Sequence, residues 1–201
     1  MSPRDCALLV IDMQNAYCDP QGEFARSAAD PLACARAVEP CARLRAAARA
    51  AGVPVLYAVK VGLDERVPTA AFHAAAPRFP SALRKGTWSA AIVEALRPDP
   101  GEIVLEKLGF SAFFGTPLDA ALRRMAVKRL VLAGVTTSIC VESTARDAVQ
   151  HGFEPYVVQD ATAEWDRARH ARSLDQMAYA FARVVGLDEL VAAWSAGEAR
   201  G

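Results

Sequence analysis

Three polar side chains of different chemistry each follow a predicted strand. Asp12 ends the first aliphatic run of the chain, Lys107 ends the third, and Cys140 follows the fourth after a short loop. Ligands of an open parallel sheet bind outside the carboxyl ends of its strands, so an acid, an amine and a thiol are expected at one edge. Singly, these could be a capping carboxylate, a surface lysine and a small buried apolar residue. Together they predict a reactive site.

The chemistry expected of this trio is nucleophilic catalysis by a thiol. A helix N-terminus and a nearby cation both lower a thiol pKa. Because Cys140 is expected to begin a helix and to lie near Lys107, the sequence predicts a thiolate. Asp12 would take the thiol proton and return it to a departing nitrogen. The expected reaction is attack on an amide or ureido carbonyl, release of ammonia or an amine, and hydrolysis of the thioester.

The elements that must position these groups alternate along the chain. Continuous aliphatic runs predict six strands buried on both faces, at 7–13, 54–61, 102–107, 129–135, 154–159 and 182–185. Helices are predicted at 39–51, 89–96, 117–125, 140–151 and 187–194. This alternation predicts an α/β fold, a doubly wound parallel sheet in one domain spanning residues 1–201. Residues 62–87 interrupt it with three prolines and are expected to pass over the face that carries the site.

Composition excludes several classes of protein. The 201 residues include 23 basic and 23 acidic side chains, so the chain lacks the positive charge that nucleic-acid binding requires. No apolar stretch approaches the roughly 20 residues that cross a membrane, and the N-terminus has no signal-peptide pattern. Five cysteines, none in a CxxC pair, favour a reducing, cytoplasmic location. The expected partner is a small molecule, and neither a nucleic acid nor a membrane.

Three segments resemble a known family. They are IDMQNAY at 11–17, EKLGFSAFFGTPLDAAL at 106–122 and AGVTTSICVESTARDAVQHGF at 133–153. In this order they resemble the isochorismatase-like cysteine hydrolases, most closely those acting on ureidoacrylate, biuret and carbamoyl amides. The resemblance implies a three-layer α/β/α sandwich, a homodimer or homotetramer, and a catalytic triad of Asp12, Lys107 and Cys140. It also implies an oxyanion hole of the Thr136 and Cys140 backbone amides, with a cis peptide between Val135 and Thr136.

The resemblance also bears on metals and cofactors. Nicotinamidases of this superfamily hold a metal with an Asp-x-His pair after the second strand, where this chain reads GLDE at 62–65. Its three histidines share no metal-ligand spacing. His73 is expected in a solvated loop, His151 at a helix C-terminus and His170 on a surface helix. We therefore expect neither a metal nor a cofactor.

Four aromatic side chains are candidates for the substrate pocket, because pockets are lined largely by such side chains. These are Phe24, Trp88, Phe110 and Phe113. Phe113 could equally pack in the core, and Trp88 lies in a Gly-Thr-Trp sequence that begins a helix in the family. Ureidoacrylate hydrolases usually have tyrosine where Phe110 stands, which leaves the substrate open. No arginine can be assigned to a substrate carboxylate.

Two other functions are compatible with these residues. Vinyl ether hydrolysis of the isochorismatase type uses the acid and the lysine but needs no thiol nucleophile. A binding module could keep the fold without activity. The presence of Cys140 favours amide hydrolysis over the first, and the intact set of Asp12, Lys107 and Cys140 argues against the second.

Overall fold

The computed structural model describes residues 3–61 and 83–198, which form one sheet of six parallel strands. The strands are β1 (Cys6–Ile11), β2 (Val55–Lys60), β3 (Ile103–Lys107), β4 (Arg129–Val135), β5 (Glu154–Ala163) and β6 (Arg183–Val185). Their order across the sheet is β3-β2-β1-β4-β5-β6. The predicted doubly wound α/β fold is confirmed, although β5 continues to Ala163 rather than ending at 159.

The chain changes its direction of winding between β1 and β4. Leu9 at the middle of β1 pairs with Leu56 of β2 on one side and with Leu132 of β4 on the other. The connections that follow β1 and β4 therefore lead to opposite halves of the sheet, and a crevice opens between the carboxyl ends of these strands. Every residue of β1 is buried, which explains its continuous aliphatic sequence.

Helices cover both faces of the sheet. They are α1 (Asn15–Cys18), α2 (Val38–Ala50), α3 (Leu118–Arg124), α4 (Glu142–Gln150), α5 (Arg167–Ala180) and α6 (Leu187–Glu198). Successive residues of β1 enter different cores: Leu8 shares one with Leu44 of α2 and Trp194 of α6. Leu9 shares the other with Leu118 of α3. None of the helices in 3–61 and 83–198 is long and apolar enough to cross a membrane.

Residues 89–96 do not form the predicted helix. Only Glu94–Leu96 make a short 3-10 turn. The backbone pairs instead with the residues after β1: the Asn15 N–H donates to the Ala91 carbonyl at 2.9 Å, and the Val93 N–H donates to the Met13 carbonyl at 3.0 Å. These tertiary hydrogen bonds satisfy backbone groups that a helix would have satisfied internally.

Helix α5 is an element that the hydrophobic pattern does not predict. It buries only Ser173 and Met177, so its sequence shows little apolar periodicity. Its start is set by Asp166, whose Oδ1 accepts a hydrogen bond from the Arg169 N–H at 2.6 Å. His170 lies on this helix, as expected.

Gly134 allows β4 to lie close to β1. Its φ is 120°, and a Cβ at this position would lie 2.0 Å from the Ile11 carbonyl oxygen. The pairing of β4 with β5 also shifts register between Leu132 and Gly134. Only glycine therefore fits at the point where β4 turns towards the loop that carries Cys140.

Candidate active site

Asp12 is fully buried immediately after β1, in a backbone conformation that few residues adopt. Its φ of 52° lies in the left-handed region, where Asp is among the better tolerated non-glycine residues. The Asp12 N–H still donates to the Ala58 carbonyl of β2 at 2.8 Å, and its carbonyl accepts from the Gln14 N–H at 2.7 Å. This turn ends the strand and places the carboxylate in contact with Lys107.

Lys107 connects the other two members of the predicted triad. Its ammonium donates to Asp12 Oδ2 at 2.7 Å and to Cys140 Sγ at 3.5 Å. A third contact, at 3.3 Å, is with the Gly109 carbonyl oxygen. The side chains of Asp12 and Lys107 are both inaccessible to solvent. Three residues from three different strand ends thus meet at one buried point, as the sequence predicts.

Cys140 lies within a helical turn rather than at the first residue of α4. Residues Thr137–Val141 form a π-helical turn, and α4 begins at Glu142, two residues later than predicted. The Cys140 carbonyl accepts from Thr144 Oγ1 at 2.7 Å, and the same hydroxyl accepts from the Ala112 N–H at 3.0 Å. Thr144 therefore ties the turn to the loop that follows Lys107.

The peptide bond between Val135 and Thr136 is cis, as the resemblance implies. Thr136 is buried beside it and precedes the π-helical turn. The use of the Thr136 and Cys140 amides as oxyanion donors stays a prediction.

Burial sets the protonation state of Cys140. Removal of the sulfur from water and the charge of the Asp12 carboxylate raise the pKa of this thiol to about 12, although Lys107 and Lys60 act in the opposite direction. The expected lowering of the Cys140 pKa is therefore not found, because desolvation outweighs the two ammonium groups.

The Asp12 carboxylate has one oxygen engaged and one available. Oδ2 binds Lys107, whereas Oδ1 is buried and makes no hydrogen bond within residues 3–61 and 83–198. Burial alone would lower the pKa of Lys107, but Asp12 and Cys140 together raise it above its ordinary value. The arrangement is a permanent cation beside a sulfur, with an unoccupied carboxylate oxygen able to accept a proton.

Lys60 is a site residue that the sequence analysis misses. It ends β2, and its backbone pairs in register with Lys107. The Lys60 ammonium donates to the Gly109 carbonyl oxygen at 3.5 Å, the atom that Lys107 also contacts. It lies 4.5 Å from the centre of the Phe110 ring. The rule that strand ends meet at one edge, applied to β2 as well, would have identified it.

Polar side chains hold the turn that carries Cys140. Ser138 Oγ donates to Glu164 Oε2 at 2.6 Å, and Thr137 Oγ1 lies 2.9 Å from His170 Nδ1. Burial lowers the pKa of His170, which favours the neutral ring. The sequence analysis assigns no such role to Glu164 or His170. Glu164 follows the end of β5, so its position at the same edge was the available signal.

Two of the aromatic candidates lie beside the triad. The Phe110 ring lies beneath the Lys60 ammonium. The Phe24 ring stacks on Tyr17 at a centroid distance of 4.8 Å. Burial, followed by the charges of Asp12 and Cys140, raises the pKa of Tyr17, so this stacked pair lies within electrostatic reach of the site.

The other two aromatic candidates have different surroundings. Trp88 is 52% exposed and does not begin a helix; its carbonyl accepts from the Asn15 side-chain amide at 2.8 Å. Phe113 is buried and stacks on His151 and Phe153, at centroid distances of 4.7 and 5.9 Å. These contacts of Phe113 are those of a core residue, the alternative that its sequence left open.

Within residues 3–61 and 83–198, no group of three or more His, Cys, Asp or Glu side chains could hold a metal ion. His151 instead lies 3.2 Å from Asp119, and His170 contacts Thr137. The GLDE segment at 62–65 and His73 lie outside the described residues, as does most of the expected excursion over the site.

All five cysteines are buried, and none of them forms a disulfide. Burial raises the pKa of Cys41 to about 12 and that of Cys6 to about 11, and it also raises the pKa values of Cys18 and Cys34. Cys140 differs from them because a lysine ammonium contacts its sulfur.

Known proteins resemble this chain in sequence and in fold. A family model described as the isochorismatase domain matches residues 6–189. Ureidoacrylate amidohydrolase RutB of Methylobacterium radiotolerans is 39% identical over 177 residues, which are 81% of this chain and 68% of the relative. A cysteine hydrolase from Pseudomonas syringae has a TM-score of 0.87 at 28% identity, with 98% of this chain and 95% of that chain covered. N-carbamoylsarcosine amidase from Thermoplasma acidophilum has a TM-score of 0.77 at 29% identity, covering 94% and 98%. The chain belongs to the isochorismatase family.

Proposed function

We propose that this isochorismatase-family hydrolase cleaves a C–N bond of a small linear amide, ureido or carbamoyl compound through a thioester on Cys140. The observation that carries the proposal is the position of Lys107, whose ammonium touches both Asp12 Oδ2 and Cys140 Sγ. A cation that contacts an acid and a thiol together can stabilise the thiolate as the proton leaves it. The names of two similar proteins, a ureidoacrylate amidohydrolase and an N-carbamoylsarcosine amidase, support the same bond type.

The first half of the reaction forms the thioester. Cys140 Sγ attacks the carbonyl carbon while its proton moves to the available Oδ1 of Asp12. The backbone amides of Thr136 and Cys140 would bind the oxyanion of the tetrahedral intermediate. Asp12 then gives the proton to the nitrogen, the C–N bond breaks, and ammonia or an amine leaves.

The second half regenerates the thiol. Water attacks the thioester carbonyl, and Asp12 accepts its proton. The C–S bond breaks, the sulfur takes the proton back, and the acid product leaves.

Ammonia release from a panel of ureido, carbamoyl and simple primary amides tests the proposal. Acid-quenched samples analysed by mass spectrometry should carry the acyl group on the peptide that contains Cys140. Cys140→Ala should lose at least about 10³-fold in kcat/KM, because the nucleophile and its base act as a unit. The control is Cys41→Ala, which removes a buried thiol from the opposite face of the sheet. Full turnover of an amide by Cys140→Ala would contradict the thioester.

Assembly and location remain expectations. We expect a homodimer or homotetramer in the cytoplasm, with no nucleic-acid or membrane partner. Sedimentation velocity of the purified chain measures the assembly, and a monomer at micromolar concentration would contradict it.

A further inference from the structure

The described part of the site contains more positive than negative charge. Lys60 and Lys107 both bring an ammonium to the Gly109 carbonyl oxygen, at 3.5 and 3.3 Å. The one carboxylate in contact with them is Asp12, and it binds Lys107. Burial raises the pKa of the Cys140 thiol to about 12. Lys60 forms no ion pair within residues 3–61 and 83–198, so this part of the site contains two ammonium groups and one carboxylate.

The environment of the Lys60 ammonium is poorly suited to a lone cation. Burial, together with the charge of Lys107, lowers the pKa of Lys60, although the sulfur of Cys140 and the carboxylate of Asp12 raise it. The Gly109 carbonyl and the Phe110 ring supply only partial negative charge. A partly desolvated cation of this kind is stabilised by an anion that binds beside it.

The Lys60 ammonium is also held at a defined position relative to the nucleophile. Three contacts of 3.5, 3.3 and 3.5 Å connect Lys60 Nζ, through the Gly109 oxygen and Lys107 Nζ, to Cys140 Sγ. The Lys60 backbone is fixed by both polar atoms of the Gln14 side-chain amide. Lys107 contacts the sulfur directly, and Lys60 meets Lys107 at the Gly109 oxygen, which leaves the Lys60 ammonium one contact farther from the sulfur.

We propose that Lys60 binds a carboxylate of the substrate, so that the site selects small amides with one negative charge at the end away from the scissile bond. The inference rests on the proposed function and gives it a substrate class. One ammonium balances one carboxylate, and Phe110 beneath it supplies an apolar surface for the short chain that joins the two ends of such a molecule. Lys60 is thereby a residue that determines specificity.

Alkylation of Cys140 tests this without knowledge of the substrate. Iodoacetate and iodoacetamide have nearly the same size and differ in charge. The rates at Cys140 are measured by mass spectrometry at near-neutral pH, and their ratio is divided by the ratio for 2-mercaptoethanol. We expect a normalised preference for iodoacetate of about tenfold or more, the size of one charge-assisted hydrogen bond. Lys60→Gln should reduce it to about one, and Lys60→Arg should retain most of it.

Lys128→Gln is the matched control. It removes the same charge from an exposed position before β4, at the opposite edge of the sheet, and should leave the preference unchanged. Slowing of both reagents by the same factor in Lys60→Gln, with the preference for iodoacetate unchanged, would overturn the proposal, because Lys60 would then act only through the pKa of the sulfur. The proposal would also be overturned if iodoacetate did not modify Cys140, or if its normalised rate were no higher than that of iodoacetamide.

Turnover provides the second measurement. Lys60→Gln should lower the ratio of kcat/KM for a ureido acid to kcat/KM for its neutral carboxamide by about tenfold or more, chiefly by raising KM for the acid. The two proposals can fail separately. An iodoacetate preference that depends on Lys60, without hydrolysis of any amide, would sustain the anion site and contradict the hydrolase. Hydrolysis of amides without any preference for a negatively charged substrate would support the hydrolase and contradict the anion site.

Discussion

The side-chain amide of Gln14 makes both backbone hydrogen bonds of Lys60. Gln14 Nε2 donates to the Lys60 carbonyl at 2.9 Å, and Gln14 Oε1 accepts from the Lys60 N–H at the same distance. Nε2 also donates to the Ala90 carbonyl at 2.8 Å. The chain turns away from the strand direction at Asp12, so the backbone after β1 cannot pair with Lys60. The side-chain amide of Gln14 makes these hydrogen bonds instead and continues the pairing of β1 with β2. It fixes Lys60 and the segment around residue 90 to the turn that carries Asp12.

Replacement of Gln14 by Glu should loosen this corner of the site. A carboxylate cannot donate to the Lys60 and Ala90 carbonyls, so the free energy of unfolding should fall by about 1–3 kcal/mol. The iodoacetate preference of Cys140 should fall with it, because Lys60 loses its fixed position. Urea denaturation and alkylation rates measure the two effects. Gln21→Glu, on the exposed loop after α1, is the control. Wild-type stability in Gln14→Glu would show that the three hydrogen bonds are not needed.

The buried ion pair of Asp12 and Lys107 should behave as a coupled unit. Asp12→Asn leaves an ammonium buried without its counterion, at a cost of about 3–5 kcal/mol in the free energy of unfolding. Lys107→Met leaves the carboxylate in the same situation. The double variant should cost clearly less than the sum of the single changes, and all three should lose ammonia release. Chemical denaturation of the four proteins gives the coupling energy.

An exposed ion pair is the control for this double-mutant cycle. Lys85 lies 2.7 Å from Glu106, with side chains 75% and 44% exposed. Lys85→Met should change the free energy of unfolding by less than about 1 kcal/mol. Strictly additive effects of Asp12→Asn and Lys107→Met would contradict the picture of a coupled buried pair.

Glu164 should act as a positioning residue for the nucleophile. Its Oε2 accepts from Ser138 Oγ at 2.6 Å and its Oε1 accepts from the Trp165 N–H at 3.0 Å, so a glutamine has too few acceptor oxygens to replace it. Glu164→Gln should lower kcat by up to about 10²-fold, the cost of a misplaced reacting group, with a smaller change in KM. Steady-state kinetics and circular dichroism separate this from unfolding.

The control for Glu164 lies on the same strand. Glu154 begins β5 at the opposite edge, and its side chain is 58% exposed, so Glu154→Gln should leave kcat unchanged. A Glu164→Gln variant with wild-type kcat would mean that the turn holds Cys140 without this carboxylate.

The buried thiols should make the fold less stable at alkaline pH. The pKa of Cys41 is about 12 in the folded protein, whereas an unfolded thiol titrates near about 8.5. Above about pH 8.5 the unfolded state therefore binds fewer protons than the folded state, and the free energy of unfolding falls by about 1.4 kcal/mol per pH unit for each such thiol. This loss continues up to the pKa of the folded state.

Cys41→Ala tests the sign of this effect. Urea denaturation from neutral pH to about pH 10.5 should give a shallower decline for Cys41→Ala than for the wild type, by about 1.4 kcal/mol per pH unit above 8.5. The difference in stability between Cys41→Ala and the wild type at neutral pH gives the effect of the lost packing. Any further difference at higher pH is then due to the titration of Cys41. Parallel curves would show that Cys41 titrates normally in the folded protein.

The sequence by itself determined the sheet and the three residues that meet at its carboxyl edge. Continuous aliphatic runs report strands buried on both faces, and a polar residue that ends such a run must lie at the carboxyl edge. Asp12, Lys107 and Cys140 were predicted on this basis and meet as expected. These inferences succeed because each depends on the residues of one segment and on the parallel direction of the strands.

Only the tertiary structure decided how completely water is excluded from the site and which contacts its further residues make. The pKa of Cys140 depends on how completely distant elements exclude water from the sulfur, which no local pattern records. Residues 89–96 have a helical pattern, yet their backbone pairs with residues 13–15 across space. The end of β2 in the sequence would have placed Lys60 at the same edge, but its contacts with Gly109 and Phe110 depend on the fold. Desolvation and long-range pairing are properties of the assembled chain, so they had to be seen in the fold.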